Sequence, residues 1–381
     1  MKALGIVAEY NPFHNGHKYH LNRLLEESGA DILIAVMSGN FTERGEASIE
    51  NKYCRSKIAV ENGANLVVEL PHIYATQNAG DFARGAIGIL EGLKCEYISF
   101  GVEDDKKIAD LSALIIENDN LIDVKVKTYV KEGLSYPRAR EKAIISLCGD
   151  EYIELLNKPN NILALEYLKN IKNAKPIFIK RHMINHNGKF DDNFASGEYI
   201  RSLIRENKDY SIFIPYDYSF KYTDFESYIF NELVSVVSKE SSEYLNSIYG
   251  AEEGLGSILK KDFRKYRSYD DAVSSLKSKR YTETRIKRVI LNTIFGIRKS
   301  DIMDLPLYAR VLAFDKKGQE YLNFLKKSKN SFPVITNVNK VQDENILKSL
   351  KYDILANDMY NKFTGNDLYL NSDFIISPSR F

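Results

Sequence analysis

The sequence lacks tryptophan and contains only three cysteines among its 381 residues. Cys54, Cys95 and Cys148 lie far apart and form no C-x-x-C pair, which disfavours both a disulfide framework and a cysteine-rich zinc site. The sequence also lacks an uninterrupted apolar run of about 18 residues, as a transmembrane helix would need. The apolar run after Met1 is shorter than the core of a signal peptide. We therefore expect a cytoplasmic protein with no membrane partner.

An excess of either charge is also missing, since 53 lysines and arginines face 52 aspartates and glutamates, for a formal net charge of +1. Any attraction to nucleic acid must therefore come from a local cluster of basic residues. The content of 44% hydrophobic residues is typical of a globular chain that buries a core. Because domains usually span roughly 100 to 200 residues, a chain of this length predicts two of them.

Short apolar runs alternate with helical patterns in the first half of the chain. The runs are 3–8, 31–37, 65–70, 96–101 and 176–180, and the helical patterns include 52–61, 82–93 and 162–171. This alternation predicts a parallel sheet with helices on both faces. Beyond residue 206 the pattern is helical, with few strand signals before 332–335. We therefore predict an α/β domain with a Rossmann-like parallel sheet over residues 1–206 and a mainly helical domain over residues 207–381.

The turn after the first predicted strand has the composition of a phosphate-binding loop. Residues 10–20 read YNPFHNGHKYH, and the helical pattern begins near His17. Gly16 permits close approach of the backbone, and the ring nitrogens of His14 and His17 can donate hydrogen bonds to a triphosphate. His20 lies one helical turn after His17. Since open α/β sheets bind ligands at this position, and helix N-termini attract anions, the loop predicts a nucleotide site.

Two simpler interpretations of the histidines remain open. Three histidines in seven residues could bind a metal ion or could be polar surface residues. Zinc would require a further ligand, and no cysteine is close in sequence. We therefore assign no metal site and favour the nucleotide.

Other candidates stand near predicted strand ends and helix starts. Gly101 follows a strand and could admit an adenine or ribose, although many such glycines only form turns. Asn161 could either cap a helix or hold the nucleotide with its amide. Arg181 ends the strand 176–180 and could neutralise phosphate charge, or it could be a solvated surface arginine. Arg44, in the polar segment 38–45, could bind a phosphate or an acyl carboxylate, or lie in a plain surface loop.

A basic segment in the second half predicts contact with RNA. Residues 260–299 contain thirteen lysines and arginines against four acidic residues. Such a local excess suits a phosphate backbone, and Tyr266, Tyr269 and Tyr281 could stack on unpaired bases. The alternative is a solvated helix face. The candidate tRNA-binding residues are Lys277, Lys279, Arg280, Tyr281, Arg285 and Arg288.

Four segments together resemble the bacterial tRNA(Met) cytidine acetate ligase family. They are residues 9–20, residues 38–45 (SGNFTERG), residues 159–163 (PNNIL) and residues 279–282 (KRYT). The first contains the H-x-G-H signature of nucleotidylyltransferases and class I aminoacyl-tRNA synthetases. The resemblance implies that acetate and ATP form acetyl-adenylate and pyrophosphate. It also implies transfer of the acetyl group to the exocyclic amine of the wobble cytidine of elongator tRNA(Met), which gives N4-acetylcytidine.

The resemblance also implies which residues act. It assigns catalysis to His14, His17 and Arg181. Its ATP site corresponds to Val7, Ala8, Glu9, Tyr10, Asn11, Pro12, Phe13, His14, Asn15, Gly16, His17, Lys18, Tyr19, His20, Gly101, Asn161 and Arg181. We expect Mg²⁺ to enter with ATP, and we expect tRNA rather than DNA as the nucleic-acid partner.

The segment SGEYIR at residues 196–201 resembles the second nucleotidylyltransferase signature. In that signature a hydroxyl at a helix start and an arginine one turn later touch the phosphates, which adds Ser196 and Arg201 to the predicted ATP site. The signature usually continues with small or hydroxyl residues, whereas this chain has Gly197 and Glu198. An acidic side chain there would repel phosphate, so Ser196 could be only a helix cap.

Two other functions use the same features. A small-molecule adenylyltransferase would use the same loop, and a noncatalytic RNA-binding protein would use the basic segment. AMP and pyrophosphate as products would identify an enzyme.

Overall fold

The apolar runs of the first half form adjacent parallel strands, as predicted. The structure is a computed structural model and describes residues 1–102, 104–180, 193–304, 307–365 and 370–381. Its strands are β1 (Ala3–Ala8), β2 (Ile32–Ser38), β3 (Leu66–Leu70), β4 (Tyr97–Val102), β5 (Lys175–Lys180), β6 (Ala309–Phe314), β7 (Val334–Ile335) and β8 (Ser379–Arg380). In these ranges they form one sheet in the order β5-β4-β1-β2-β3-β6-β7, with β8 beside β6. Strands β1 to β5 are mutually parallel, so their carboxyl ends share one edge.

Helices connect the strands and build most of the second half. In chain order they are α1 (Asn15–Ser28), α2 (Lys52–Glu61), α3 (His72–Ala75), α4 (Ala79–Gly92), α5 (Asp105–Glu117), α6 (Asp119–Lys131), α7 (Tyr136–Cys148), α8 (Ile153–Leu156), α9 (Pro159–Asn170), α10 (Gly197–Arg205), α11 (Phe225–Lys239), α12 (Ser242–Ser247), α13 (Leu255–Asp262), α14 (Tyr269–Leu276), α15 (Glu283–Phe295), α16 (Lys299–Asp304), α17 (Lys316–Lys327), α18 (Glu344–Thr364) and α19 (Ser372–Ile375). Short 3-10 turns lie at Asp150–Tyr152, Ser211–Phe213, Phe263–Lys265 and Val338–Lys340. Within the described ranges, none of the helices combines the length and the apolar character needed to cross a membrane.

Both faces of the central strands are buried, which explains their continuous apolar sequence. In β2, Ile34 and Val36 pack with α4 on one face, whereas Leu33 and Ala35 pack with α1 and α2 on the other. Successive residues of a strand point to opposite faces, so a strand covered twice needs apolar residues at every position. The prediction of a parallel sheet with helices on both faces is confirmed.

The second half is mainly helical, but it also returns to the sheet. Its helices α11, α13, α14, α15 and α18 share an apolar core of their own. Strand β6 pairs antiparallel with β3, so that Arg310 lies opposite Glu69. This strand was not predicted, because a short apolar run beside helical patterns resembles a helix segment. The sheet therefore crosses the boundary expected at residue 206, and the division into two domains stays a prediction.

Candidate active site

The loop between β1 and α1 lies at the carboxyl edge of the parallel strands and is held by distant parts of the chain. The Arg201 guanidinium donates to the Asn11 carbonyl at 2.8 Å, and the Ile49 amide donates to the Asn11 side-chain oxygen at 2.8 Å. The Tyr216 hydroxyl donates to the Phe13 carbonyl at 2.9 Å. Three separate segments thus fix the loop before it enters the helix.

His14 and His17 form a stacked pair at the start of α1, with ring centroids 3.7 Å apart. His14 is the N-cap, and its Nδ1 accepts a hydrogen bond from the Gly16 amide at 3.1 Å. The amide of His14 in turn donates to Nδ1 of His17 at 3.2 Å. Because both Nδ1 atoms accept, the neutral form of each ring carries its proton on Nε2. Each imidazole therefore has the N–H group that a phosphate contact requires.

Other residues of the predicted stretch support the shape of the loop. The buried rings of Tyr10 and Phe13 lie 5.0 and 5.5 Å from the His17 ring, measured between centroids. The Asn15 side chain donates to the Asn193 carbonyl at 2.8 Å and so ties α1 to the segment before α10. The remaining residues of the stretch lie at the end of β1, in the loop or in the first turns of α1: Val7, Ala8, Glu9, Pro12, Lys18, Tyr19 and His20.

Arg55 on α2 is a buried support of the same edge that was not predicted from the sequence. Its guanidinium donates to the carbonyls of Glu9 at 2.5 Å, Glu50 at 2.8 Å and Ser38 at 3.3 Å, and it also contacts the carbonyl of Gly39. One cation thereby fixes the ends of β1 and β2. Most positions of α2 are buried, and a buried arginine needs several acceptors for its charge.

The Glu9 carboxylate lies where β1 enters the loop. Its Oε1 accepts from the Glu43 amide at 2.8 Å. Burial raises the pKa of the Glu9 carboxyl, and the guanidinium groups of Arg201 and Arg44 act in the opposite direction. Both arginines therefore act electrostatically on the start of the loop.

Helix α10 packs its N-terminus against the β1–α1 loop. Ser196 is the N-cap, and its hydroxyl accepts from the Tyr199 amide at 3.1 Å. A Cβ atom on Gly197 would lie 3.0 Å from the Asn11 carbonyl oxygen, so glycine permits this close approach. Arg201, one turn further on, binds the same carbonyl. Gly197 is thus explained by packing, and Ser196 acts at least as a helix cap.

Glu198, the second departure from the signature, pairs with Arg44. The Arg44 NH1 and Glu198 Oε2 atoms are 3.1 Å apart, and the two side chains are 50% and 73% exposed. Arg44 belongs to the loop between β2 and α2, so this pair joins two segments that flank the β1–α1 loop. The acidic residue therefore has a cationic partner beside the candidate phosphate site.

The remaining ATP-site candidates lie on other elements. Gly101 is near the carboxyl end of β4, opposite Ile179 of β5. Asn161 is buried in the first turn of α9, and its amide donates to the Leu155 carbonyl at 3.3 Å. Lys158 occupies the N-cap of that helix, so Asn161 is not its N-cap residue. Arg181 lies outside the described residues.

Part of the basic segment is docked on the β2–α2 loop. Arg288 NH1 lies 2.7 Å from the Glu43 carboxylate, and Lys287 Nζ lies 2.8 Å from that of Glu46. Between them, Gly45 has a φ of 76°, and a Cβ on it would lie 2.7 Å from the backbone of α15. Helix α15 therefore contacts the loop that carries Arg44.

The other residues of the segment divide by exposure. Arg285 pairs with Glu253 at 3.2 Å and is half-buried. The rings of Tyr269 and Tyr281 are buried in the helical core, so they do not offer stacking surfaces in this conformation. The basic residues that remain exposed between α14 and α15 are Lys277, Lys279 and Arg280.

A second charged cluster lies at the end of β3, and we call Lys52, Glu69, Arg310 and Asp373 the buried ion network. Lys52 Nζ lies 2.8 Å from Glu69 Oε1 and 2.9 Å from Asp373 Oδ1. Arg310 approaches the same carboxylates at 3.3 and 2.5 Å. Two cations and two anions thus neutralise each other and tie α2, β3, β6 and α19 together.

Comparison with known proteins agrees with the predicted fold and family. Residues 1–372 match the model of the HIGH Nucleotidyl Transferase family. A Clostridium perfringens protein named tRNA(Met) cytidine acetate ligase is 36% identical to this chain, and the alignment covers 100% of both. A Bacillus subtilis protein of the same name is 34% identical over 95% of this chain and 92% of its own length. The crystal structure of Thermotoga maritima TmcAL bound with alpha-thio ATP has a TM-score of 0.89 and 30% identity, with 100% of both chains covered.

The parallel sheet, the H-x-G-H loop at its carboxyl edge and the family match together define a nucleotidyl transferase of the HIGH class. Similarity over the full chain narrows that class further. The chain belongs to the tRNA(Met) cytidine acetate ligase family.

Proposed function

We propose that this protein activates acetate with ATP and transfers the acetyl group to the wobble cytidine of elongator tRNA(Met). Similarity to tRNA(Met) cytidine acetate ligases along the whole chain carries the proposal. The histidine pair at the start of α1 supports it, because both Nδ1 atoms accept hydrogen bonds, so each neutral ring carries on Nε2 the kind of N–H group that binds phosphate oxygens. The product on the tRNA is N4-acetylcytidine.

In the first step an acetate oxygen attacks the α-phosphorus of ATP. A new P–O bond forms, the bond to the oxygen bridging the α- and β-phosphates breaks, and pyrophosphate leaves. The Nε2–H groups of His14 and His17, together with the N-terminus of α1, stabilise the negative charge that grows on the phosphate oxygens. Arg201 has further N–H groups beside the one that it donates to Asn11, and these suit the same oxygens. Arg181 is proposed for the same role.

In the second step the exocyclic amine of cytidine attacks the acetyl carbon. The C–O bond to AMP breaks, AMP leaves with the bonding electrons, and the amine releases one proton to solvent. The exposed residues Lys277, Lys279 and Arg280 are proposed to contact tRNA phosphates. Since α15 begins just after them and docks on the β2–α2 loop, bound tRNA would lie on the same side as the activated acetyl group.

The proposed substrates also bear on the metal and the compartment. Within the described ranges no three histidine, cysteine or acidic side chains are grouped to hold a metal ion. We therefore expect Mg²⁺ to be held mainly by the phosphates of ATP. A tRNA substrate is consistent with action in the cytoplasm.

The direct test incubates the purified protein with total tRNA, ATP and labelled acetate, followed by nucleoside analysis. We expect N4-acetylcytidine in one tRNA species, with AMP and pyrophosphate as products. AMP formation with a different acceptor would instead indicate a small-molecule adenylyltransferase. Binding of tRNA without AMP formation would indicate a noncatalytic RNA-binding protein.

Two variants test the histidine pair. His14→Asn keeps a capping acceptor for the Gly16 amide but removes the imidazole, and His17→Ala removes the second ring. We expect each to lower acetate-dependent exchange between ATP and pyrophosphate by about 100-fold, because each removes a donor to the developing charge. Binding of tRNA should remain. His72→Phe, which removes a histidine from the core, is the control and should keep full exchange activity; equal loss in the control would contradict the assignment.

A further inference from the structure

Glu198 stands in the first turn of α10, where the resemblance predicts a small or hydroxyl residue. Helix N-termini favour negative charge, so its carboxylate occupies a position suited to an anion. Its partner is Arg44, 3.1 Å away. The chain thus places one of its own anions beside the candidate phosphate site.

The surroundings tie this pair to the β1–α1 loop rather than to a remote surface. Gly197, the preceding residue, packs against the Asn11 carbonyl, and Arg201 donates to that carbonyl from the next turn of α10. Arg44 also acts electrostatically on Arg201, because its charge contributes to lowering the pKa of that guanidinium, after the larger effect of burial. Arg44, Glu198 and Arg201 therefore share one electrostatic neighbourhood at the end of β1.

We propose that Glu198 is an internal competitor of the triphosphate. In the nucleotide-free protein its carboxylate holds Arg44, and when ATP binds, Arg44 leaves Glu198 and contacts the polyphosphate. Arg44 is then an ATP-binding residue, and Glu198 sets the affinity. This inference rests on the proposed function, because it takes ATP as the ligand.

The exposure of both side chains makes the exchange of partners inexpensive. An ion pair in water contributes little free energy, because solvent screens it and two long side chains lose freedom in forming it. A triphosphate offers several negative charges and many acceptor oxygens, and a guanidinium binds such oxygens in a bidentate manner. The arginine therefore gains a better partner than the one it leaves.

The first experiment measures binding of a non-hydrolysable ATP analogue to the wild type and to Glu198→Gln by titration calorimetry. The amide keeps the size of the side chain but removes the competing charge. We expect about fivefold tighter binding by the variant, and a smaller gain at high salt. The matched control is Glu206→Gln, which removes an exposed glutamate at the other end of α10 that pairs with Lys208. The control should bind the analogue as the wild type does.

A double-mutant cycle then tests the role of Arg44. Arg44→Gln should weaken analogue binding by about fivefold, because a cation near the phosphates is lost. In the Arg44→Gln background, Glu198→Gln should gain clearly less than it gains alone, since no arginine remains to be released. Thermal unfolding of all variants checks that the changes in affinity do not follow stability.

The binding experiments distinguish failure of the proposed function from failure of the competition by Glu198. If the wild type does not bind the analogue, both the proposed function and the competition are wrong, because the competition takes ATP as its ligand. If the wild type binds but Glu198→Gln matches it, or Glu206→Gln gains as much, the competition is wrong while the proposed function stands. Additive effects in the cycle would mean that Glu198 repels phosphate without holding Arg44.

Discussion

Two groups of charges lie along the same edge of the sheet and differ in their surroundings. In the buried ion network at the end of β3, no side chain is more than 4% exposed, and each contacts two opposite charges. Beside the β1–α1 loop, Arg44 and Glu198 are 50% and 73% exposed, and they pair with each other. The same residue types are therefore fixed at one place and exchangeable at the other.

The difference follows from the solvent. A buried charge that loses its partner cannot be rescued by water, so a buried pair is costly to break. An exposed charge exchanges its partner for water or for a ligand at little cost. We infer that the network near β3 maintains the structure of the site, and that the exposed charges near β1 act on ligands.

The largest effect is expected for Asp373→Asn in the buried ion network. The carboxylate of Asp373 contacts both Lys52 and Arg310, and these cations hold its pKa below the ordinary value despite its burial. Replacing it leaves two buried cations with one carboxylate. We expect a loss of about 3 to 5 kcal/mol in the free energy of unfolding, measured by urea denaturation at pH 7.

Asp353→Asn is the matched control for that variant. Asp353 is also buried, and burial together with the charge of Glu69 raises the pKa of its carboxyl. Because a raised pKa favours the neutral form of the carboxyl, the neutral amide should cost clearly less free energy here than at position 373. Equal losses in the free energy of unfolding for the two variants would show that the charge of Asp373 is not what stabilises the network.

The second prediction concerns His72, whose ring is buried between Phe41 and Phe295. Burial, with a smaller effect of Lys52, lowers its pKa to about 3. The unfolded imidazole binds a proton near pH 6.5, so the folded state loses about 1.4 kcal/mol of stability per pH unit below 6.5, until pH approaches the folded value. His72→Phe removes this proton uptake by the unfolded chain. The free energy of unfolding of the variant, minus that of the wild type, should be about 2 kcal/mol larger at pH 5 than at pH 7.5.

Urea denaturation at the two pH values measures this difference, and all other titrating groups are common to both proteins. A wild type and a variant that lose equal stability between pH 7.5 and pH 5 would mean that His72 is protonated in the folded state. The protonated imidazole of His72 would then be accessible to solvent in the folded state.

The arrangement of the sheet was predictable because its signals are local. The run 32–37 is apolar at every position, a pattern typical of a strand that is covered on both faces. The ends of β2 to β5 were predicted to within one residue. Strand β6 was missed, since its place depends on antiparallel pairing with β3 across more than 230 positions. Pairing at that distance leaves no signal in a short window of sequence.

The site was predictable to the extent that its residues follow one another in sequence. His14 and His17 were identified from their spacing, and the structure brings them into contact. Arg55 was not identified, because its role depends on carbonyls from three segments that meet only in the fold. Tyr281 was expected to face RNA, yet its ring completes the helical core. Composition shows that a segment is basic, but burial decides which of its residues are available.

The smallest effect is expected in the basic segment, where exposed and buried charges again differ in their role. Lys279 and Arg280 are exposed between α14 and α15. The double variant Lys279→Ala with Arg280→Ala should weaken tRNA binding by about tenfold at physiological salt, and should lower the slope of log affinity against log salt by about 1 to 2. Exchange between ATP and pyrophosphate should stay intact, because neither residue contacts the β1–α1 loop.

Lys316→Ala with Lys317→Ala removes the same charge from exposed positions at the start of α17 and is the control. If both pairs weaken tRNA binding equally, the effect is one of total charge, and the segment between α14 and α15 is not the contact surface. If only the variant at positions 279 and 280 weakens binding, the exposed residues of the basic segment bind tRNA, whereas its buried residues on α15 hold the β2–α2 loop.

The charges that hold this loop, Lys287 and Arg288, should then affect adenylation as well as tRNA binding, because the loop carries Arg44.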